Sequence, residues 1–178
     1  EVAAHITCDT VVRYLSDQPC KNDLDTLKKA FVLANNRVYD ARQNDSALKR
    51  MCCVATAVLM DPAEGVFHMA HIGDTRLYAC AQGRIIKLSH DHSPIGREEE
   101  QGTLTEVEAM NSTYRNVIER AIGEKLLADD TDYIETASFP AGNGVTWLLC
   151  SDGLSDMVTT AEICDILDGE GTLEAMAT

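Results

Sequence analysis

Along the first part of the chain apolar residues recur at helical intervals, and from Met51 onward they gather into short runs separated by turn residues. Val2, Ile6, Val11 and Leu15 predict a helix over 1–15, with no Gly or Pro inside it. Residues 19–22, beginning at Pro19, break the pattern. Asp23 then caps a long helix to about Leu48, whose Leu24, Leu27, Phe31, Ala34 and Val38 form one apolar stripe for the core. Residues 51–60 read as a buried strand, 61–65 as its turn and 66–72 as its antiparallel return. Leu77 to Ala81, the dipeptide Gln82-Gly83, and 84–88 read as a second hairpin. The segment 89–113 is polar, with Pro94, Gly96 and Gly102. It reads as a long loop, shortened by a helix starting near Thr105, and its acidic run Glu98 to Glu100 reads as a solvated face. Residues 116–122 predict a short helix or strand stopped by Gly123. The runs 133–139 and 145–150 flank Pro140, Gly142, Asn143 and Gly144, which predicts another hairpin. A helical turn follows over 154–158. Thr159 with Glu162 makes a capping box for a helix to about Leu167, ended by Gly169 and Gly171, and Thr172 caps one more. The sum is a sheet meander packed against at least one helical layer, an α+β domain spanning 1–178.

Composition narrows this picture. A chain of 178 residues fits one domain with a real core. Fifteen Lys and Arg against 29 Asp and Glu leave a net charge of −14, which repels phosphate backbones and argues against nucleic acid as a partner. The same acidity fits metal binding. Seven cysteines, an odd number with no Cys-x-x-Cys pair, read as buried free thiols of a reducing compartment. No apolar run is long enough to span a bilayer and the first residues do not open a signal peptide, so the expectation is a cytoplasmic protein without a membrane partner.

Candidate chemistry gathers at two strand ends. Val145 to Cys150 is apolar and stops at Ser151, Asp152 and Gly153, so Asp152 is expected at the end of a buried strand, with the glycine permitting a tight turn or close backbone approach. Upstream, the apolar run 66–72 is followed by Gly73 and Asp74. If these strands neighbour each other, both carboxylates can converge on one hard cation such as Mg²⁺ or Mn²⁺. Ordinary Asp-Gly turn chemistry is the competing explanation. His90-Asp91-His92 lacks a third ligand nearby in sequence and reads as polar loop residues rather than a zinc element.

The motifs resemble, in order, those of the metal-dependent serine/threonine protein phosphatases of the PPM (type 2C) family in their bacterial form. His71-Ile72-Gly73-Asp74-Thr75-Arg76-Leu77-Tyr78 is similar to the family's Gly-Asp-Ser-Arg block, with Thr75 in place of serine. Leu88 to Ser93 resembles Leu-Thr-x-Asp-His-Ser, Gly102-Thr103-Leu104-Thr105 resembles Gly-x-Ile-Thr, and Arg120-Ala121-Ile122-Gly123 resembles Arg-Ala-Leu-Gly. Leu149-Cys150-Ser151-Asp152-Gly153-Leu154 matches the Ser-Asp-Gly-Leu block, continued by Asp156-Met157-Val158.

The resemblance implies an α-β-β-α sandwich, two stacked mainly antiparallel sheets flanked by helices and incomplete at both termini. It implies Mn²⁺ or Mg²⁺ as cofactor, two ions with a third weaker site, Asp152 as a ligand of the dinuclear centre and Asp74 as a ligand of the third site. It implies a flap over about 91–113, a structural role for Asp91, and hydrolysis of phosphoserine and phosphothreonine in proteins by a metal-activated water, opposing a Ser/Thr kinase. Cys150 is then a core residue and no thiol nucleophile is required. The family's phosphate-contacting Arg, its Asp-Gly-x-Gly-Gly-His block and its Gly-x-Asp-Asn block have no counterpart here, and Met51-Cys52-Cys53-Val54 departs from Met-Gly-Thr-Thr. The expectation is therefore a fragment of an active phosphatase that is itself weakly active or inactive, with sheet edges open to self-association. The alternative is a pseudophosphatase scaffold that binds a regulatory protein.

Overall fold

A computed structural model describes residues 1–18, 23–169 and 172–177. The break expected over 19–22, Cys20 and Gly171 lie outside the described residues. Two helices, α1 (Val2–Ser16) and α2 (Leu24–Asn44), pack on each other and cover the first sheet. The α1 stripe differs from the expected one. Val2 is exposed, and small side chains, Ala3, Thr7 and Thr10, join Val11 in the interface, so the two helix backbones can lie close. The Asp23 carboxylate accepts from the Thr26 N–H at 2.7 Å and starts α2, whose Leu27, Ala30, Phe31, Ala34 and Val38 are buried. The helix stops at Asn44, before Leu48, because Asp45 leaves helical backbone and its side chain accepts from the Ala47 N–H to open a 3₁₀ turn, Ser46–Leu48.

Strands β1 (Ala55–Asp61), β2 (Val66–Ile72) and β5 (Glu135–Pro140) form one antiparallel sheet in the order β1-β2-β5. Strands β3 (Arg76–Ala81), β4 (Arg84–Lys87) and β6 (Thr146–Cys150) form the other in the order β4-β3-β6. The β3–β4 turn is the expected hairpin, with Gln82 and Gly83 both in left-handed backbone, φ 52° and 68°.

Two strand expectations are corrected. The first strand begins at Ala55 and is half-buried rather than buried, since it is the edge of its sheet. The turn residues 140–144 do not close a hairpin: β5 pairs with β2 and β6 with β3, so the chain crosses from one sheet to the other. Phe67 and Phe139, paired on the first sheet, face Trp147 of the second at ring separations of 4.7 and 6.3 Å, which fixes that crossing. The outer side of the second sheet carries α6 (Thr160–Leu167), capped by the expected Thr159–Glu162 box, beyond the short α5 (Asp152–Ser155). A short α7 (Leu173–Met176), capped by Thr172, follows. The order of layers is the α-β-β-α sandwich that the sequence implies. Among the described residues no helix is long and apolar enough to cross a membrane.

Residues 89–113 hold two helices, α3 (Pro94–Glu100) and α4 (Glu106–Met110), begun by Ser93 and by a Thr105–Glu108 capping box. Residues 116–122 are neither helix nor strand; Ile122 makes only an isolated bridge to Cys53.

Candidate metal centre

The register of β3 against β6 builds the site. Arg76 lies opposite Cys150 in this antiparallel pair. Beyond that pair the chain bends at Gly73 and Asp74 on one strand and enters α5 at Asp152 on the other, so both carboxylates stand at the same end of the sheet. The turn carrying Asp74 is fixed by Gly73, whose φ is +116° and whose absent Cβ would lie 2.2 Å from Val54 Cγ1. Gly153 plays no such part. It sits in the first turn of α5 and a Cβ there would meet only the Ser151 hydroxyl at ordinary contact distance, so the expectation of a close approach at Gly153 is corrected. The strand before Asp152 is also half-buried rather than buried, being an edge.

Asp74 is half-buried, Asp152 is exposed, and both line one cleft of about 30 Å³ together with Asp91 and Asp156. Burial, then repulsion by Asp152, Asp91 and Asp156, raises the Asp74 carboxyl above its ordinary pKa. Carboxylates crowded in this way are the hard oxygen donors that suit a divalent cation, so the residues present fit the metal that the motifs imply. Asp156 lies one helical turn beyond Asp152, a spacing that places both on one face. A wider groove of about 510 Å³ continues past Asp152 between Met110, Arg115 and Met157. Arg115, half-exposed and 3.3 Å from Asp156, is a cation at this mouth that no sequence motif marked.

Asp91 is structural, as expected. Its Oδ2 accepts from Arg76 Nε and Nη2 at 3.0 and 2.7 Å, and Lys87 Nζ lies 3.3 Å from Oδ1. Burial works against the Arg76 charge, and Asp91 more than restores it, leaving the guanidinium above its ordinary pKa. Glu99 accepts from Arg76 at 2.9 Å and Glu100 sits 2.7 Å from Lys87. The acidic run is therefore not a uniformly solvated face: two of its carboxylates turn inward and anchor α3 over the cleft.

His71, His92 and Glu135 bring ligand atoms within 4.8 Å of one another, a juxtaposition the sequence did not suggest. Hydrogen bonding takes it out of use for a metal. His71 Nε2 faces the Gly73 and His90 carbonyls at 3.0 and 3.1 Å and must donate, so its Nδ1 accepts from the Thr56 hydroxyl at 2.7 Å. His92 Nδ1 accepts from the Gly73 N–H at 3.1 Å, which leaves a proton on Nε2. Neither ring offers a free lone pair.

Among the cysteines, Cys8 and Cys52 are exposed, against the expectation of burial, while Cys80 and Cys164 are buried. Cys150 is half-buried rather than in the core, and burial raises its thiol pKa, so it is no thiolate nucleophile at neutral pH.

The model of the family described as Protein phosphatase 2C matches residues 1–174. The serine/threonine phosphatase stp of Listeria innocua is 28% identical over 183 aligned residues, covering 98% of this chain and 70% of that protein. The crystal structure of the Mycobacterium tuberculosis serine/threonine phosphatase PstP/Ppp superposes with a TM-score of 0.78 at 26% identity, over 94% of this chain and 68% of that one. A PstP catalytic domain solved in complex with 2 manganese ions shares the fold at a TM-score of 0.81 and 24% identity, over 99% and 71% of the two chains. On the ordered motifs, the stacked sheets and this match along nearly its whole length, the chain belongs to the protein phosphatase 2C family, the metal-dependent serine/threonine protein phosphatases of bacterial PPM type.

Proposed function

We propose that this chain provides the catalytic scaffold for removing phosphate from phosphoserine and phosphothreonine in proteins, against a Ser/Thr kinase. In this reading Asp152 is a ligand of a two-ion Mn²⁺ or Mg²⁺ centre and Asp74 a ligand of a third, weaker site. The observation that carries it is that Asp74 and Asp152 line one cleft, close enough for the Asp152 charge to act on the Asp74 carboxyl. When bound, divalent cations neutralise phosphoryl charge and lower the pKa of a coordinated water. The chain's own residues do the rest. Gly73 and Val54 hold the Asp74 turn rigid, and the Arg76–Asp91–Glu99 bonds keep α3 over the cleft. Arg115 is half-exposed and close enough to Asp156 to exchange that partner for a phosphoryl oxygen.

With Asp74 and Asp152 as its family metal positions, the chain alone is expected to bind Mn²⁺ weakly and turn over slowly. Binding is therefore the primary measurement. Calorimetric titration with Mn²⁺ should show affinity falling by about tenfold or more in Asp152→Asn, and further with Asp74→Asn added. Any hydrolysis of para-nitrophenyl phosphate should vanish in Asp152→Asn and on adding a chelator. Unchanged Mn²⁺ affinity in the double variant would overturn the assignment. Binding with no turnover on any phosphoester would favour the pseudophosphatase scaffold.

A further inference from the structure

Cys80 in β3 and Cys164 in α6 stand 84 positions apart in sequence, yet their sulfurs lie 3.9 Å from each other. Both are free thiols, 3% and 8% exposed respectively. Neither lines the cleft or the groove beyond it, and no step proposed for the phosphatase uses them. Burial, and then the neighbouring Cys164 sulfur, holds the Cys80 thiol up at about 11, so Cys80 stays protonated at neutral pH. The helix that carries Cys164 is held at both ends, by α4 at its start and by the β3–β4 turn at its end. Glu106 of α4 accepts from the Thr160 N–H and hydroxyl at its start, and Asp168 accepts from the Gly83 N–H at 2.9 Å at its end. Two sulfurs 3.9 Å apart on elements already held together are within reach of a disulfide.

We propose that Cys80 and Cys164 are a peroxide-oxidisable dithiol that closes into an intramolecular disulfide and staples α6 to β3. Cys164, the more exposed of the two, attacks hydrogen peroxide. An S–O bond forms, the O–O bond breaks, and the departing hydroxide takes the thiol proton to leave as water. Cys80 sulfur then attacks the sulfenic sulfur, forming the S–S bond and expelling the hydroxyl, which takes the Cys80 proton as a second water. Two electrons pass from the thiols to the peroxide oxygens, and a dithiol reductant reverses the change. The bridge closes a long loop that contains the whole 91–113 segment, β5, β6 and Asp152. It therefore restricts the unfolded chain and raises the melting temperature.

The test is to treat the full chain with hydrogen peroxide, block residual thiols with a maleimide, and map non-reduced peptides by mass spectrometry. The expected product is a Cys80–Cys164 cross-linked peptide, lost on reduction, with the melting temperature raised by about 5–10 °C over the reduced protein. That rise should be absent in Cys80→Ala and in Cys164→Ala. Repeating the mapping on a chain with Cys8, Cys20, Cys52, Cys53 and Cys150 changed to Ser removes competing partners. Should that chain fail to fold, mapping of the unaltered protein decides alone. Recovery of Cys80 and Cys164 as maleimide adducts or separate sulfinic acids, a bridge between two molecules, or a bridge that lowers the melting temperature would each overturn the proposal.

Discussion

His71 and His92 face each other with ring centroids 4.9 Å apart, and neither ring can take a second proton without losing an acceptor contact. Burial, then the nearby His71 and Arg120, lowers His92 to about 4. The sign follows from linkage. Below about 6.5 the unfolded His92 takes up a proton that the folded one refuses, so the stability it contributes is fully present above that pH. It is lost as pH falls from about 6.5 to about 4, on the order of 2 kcal/mol over the window. Urea denaturation at pH 7.0, 5.5 and 4.5 should show this loss in the unaltered chain and a flatter profile in His92→Gln. Parallel profiles would refute it. At this scale the sequence showed Asp74 and Asp152 because each ends an apolar run beside a Gly. It hid Arg115, Glu99 and Glu100, because an ion pair between residues 23 positions apart leaves no mark on local pattern.

Among the elements, the stretch before Gly123 shows why a local reading fails. Residues 116–122 carry apolar positions fit for helix or strand, yet their backbone is satisfied from elsewhere. Gly123 N–H donates to Asn35 Oδ1 at 2.8 Å, Arg42 donates to the Gly123 carbonyl, and Ala121 N–H donates to the Tyr133 hydroxyl at 3.0 Å. Asn35 is fully buried in α2 and also donates to the Lys125 carbonyl at 2.8 Å. Changing Asn35 to Ala would strand a buried N–H and a carbonyl together, so it should destabilise the fold by about 2–3 kcal/mol in urea denaturation. Asn35→Asp keeps the acceptor for the Gly123 N–H but sets a buried carboxylate against the Lys125 carbonyl, so it should cost at least as much. A loss in Asn35→Asp well below that of Asn35→Ala would show that the bond to Lys125 contributes little. Helices with capping residues, at Asp23, Thr105, Thr159 and Thr172, were legible because a cap lies within a few residues of what it caps. A side chain that replaces a ladder from 88 positions away is not.

For the whole molecule the undecided question was which strands share a sheet. Pro140, Gly142, Asn143 and Gly144 state that the chain turns but not whether it returns beside β5 or passes to the other layer. The answer lies in side chains that meet across the layers. Phe67 and Phe139 are cross-strand partners in one sheet, and Trp147 of the other lies against both, tilted 53° and 48° to their rings. A hairpin of β5 with β6 would put Trp147 beside Phe139 in one sheet and leave the second sheet with β3 and β4 alone. It would also separate Cys150 from Arg76, and with it Asp152 from Asp74. The aromatic contact between layers thus supports the register that assembles the cleft. Trp147 is half-buried, so Trp147→Ala should cost about 2–3 kcal/mol, below the value for a fully enclosed ring. In a double-mutant cycle with Phe67→Ala the two rings should couple by about 1 kcal/mol. Because the same contact supports β6 against β3, Mn²⁺ affinity should fall in Trp147→Ala although Trp147 does not line the cleft. A stable Trp147→Ala chain with unchanged Mn²⁺ affinity would separate the stacking of the sheets from the placement of Asp152.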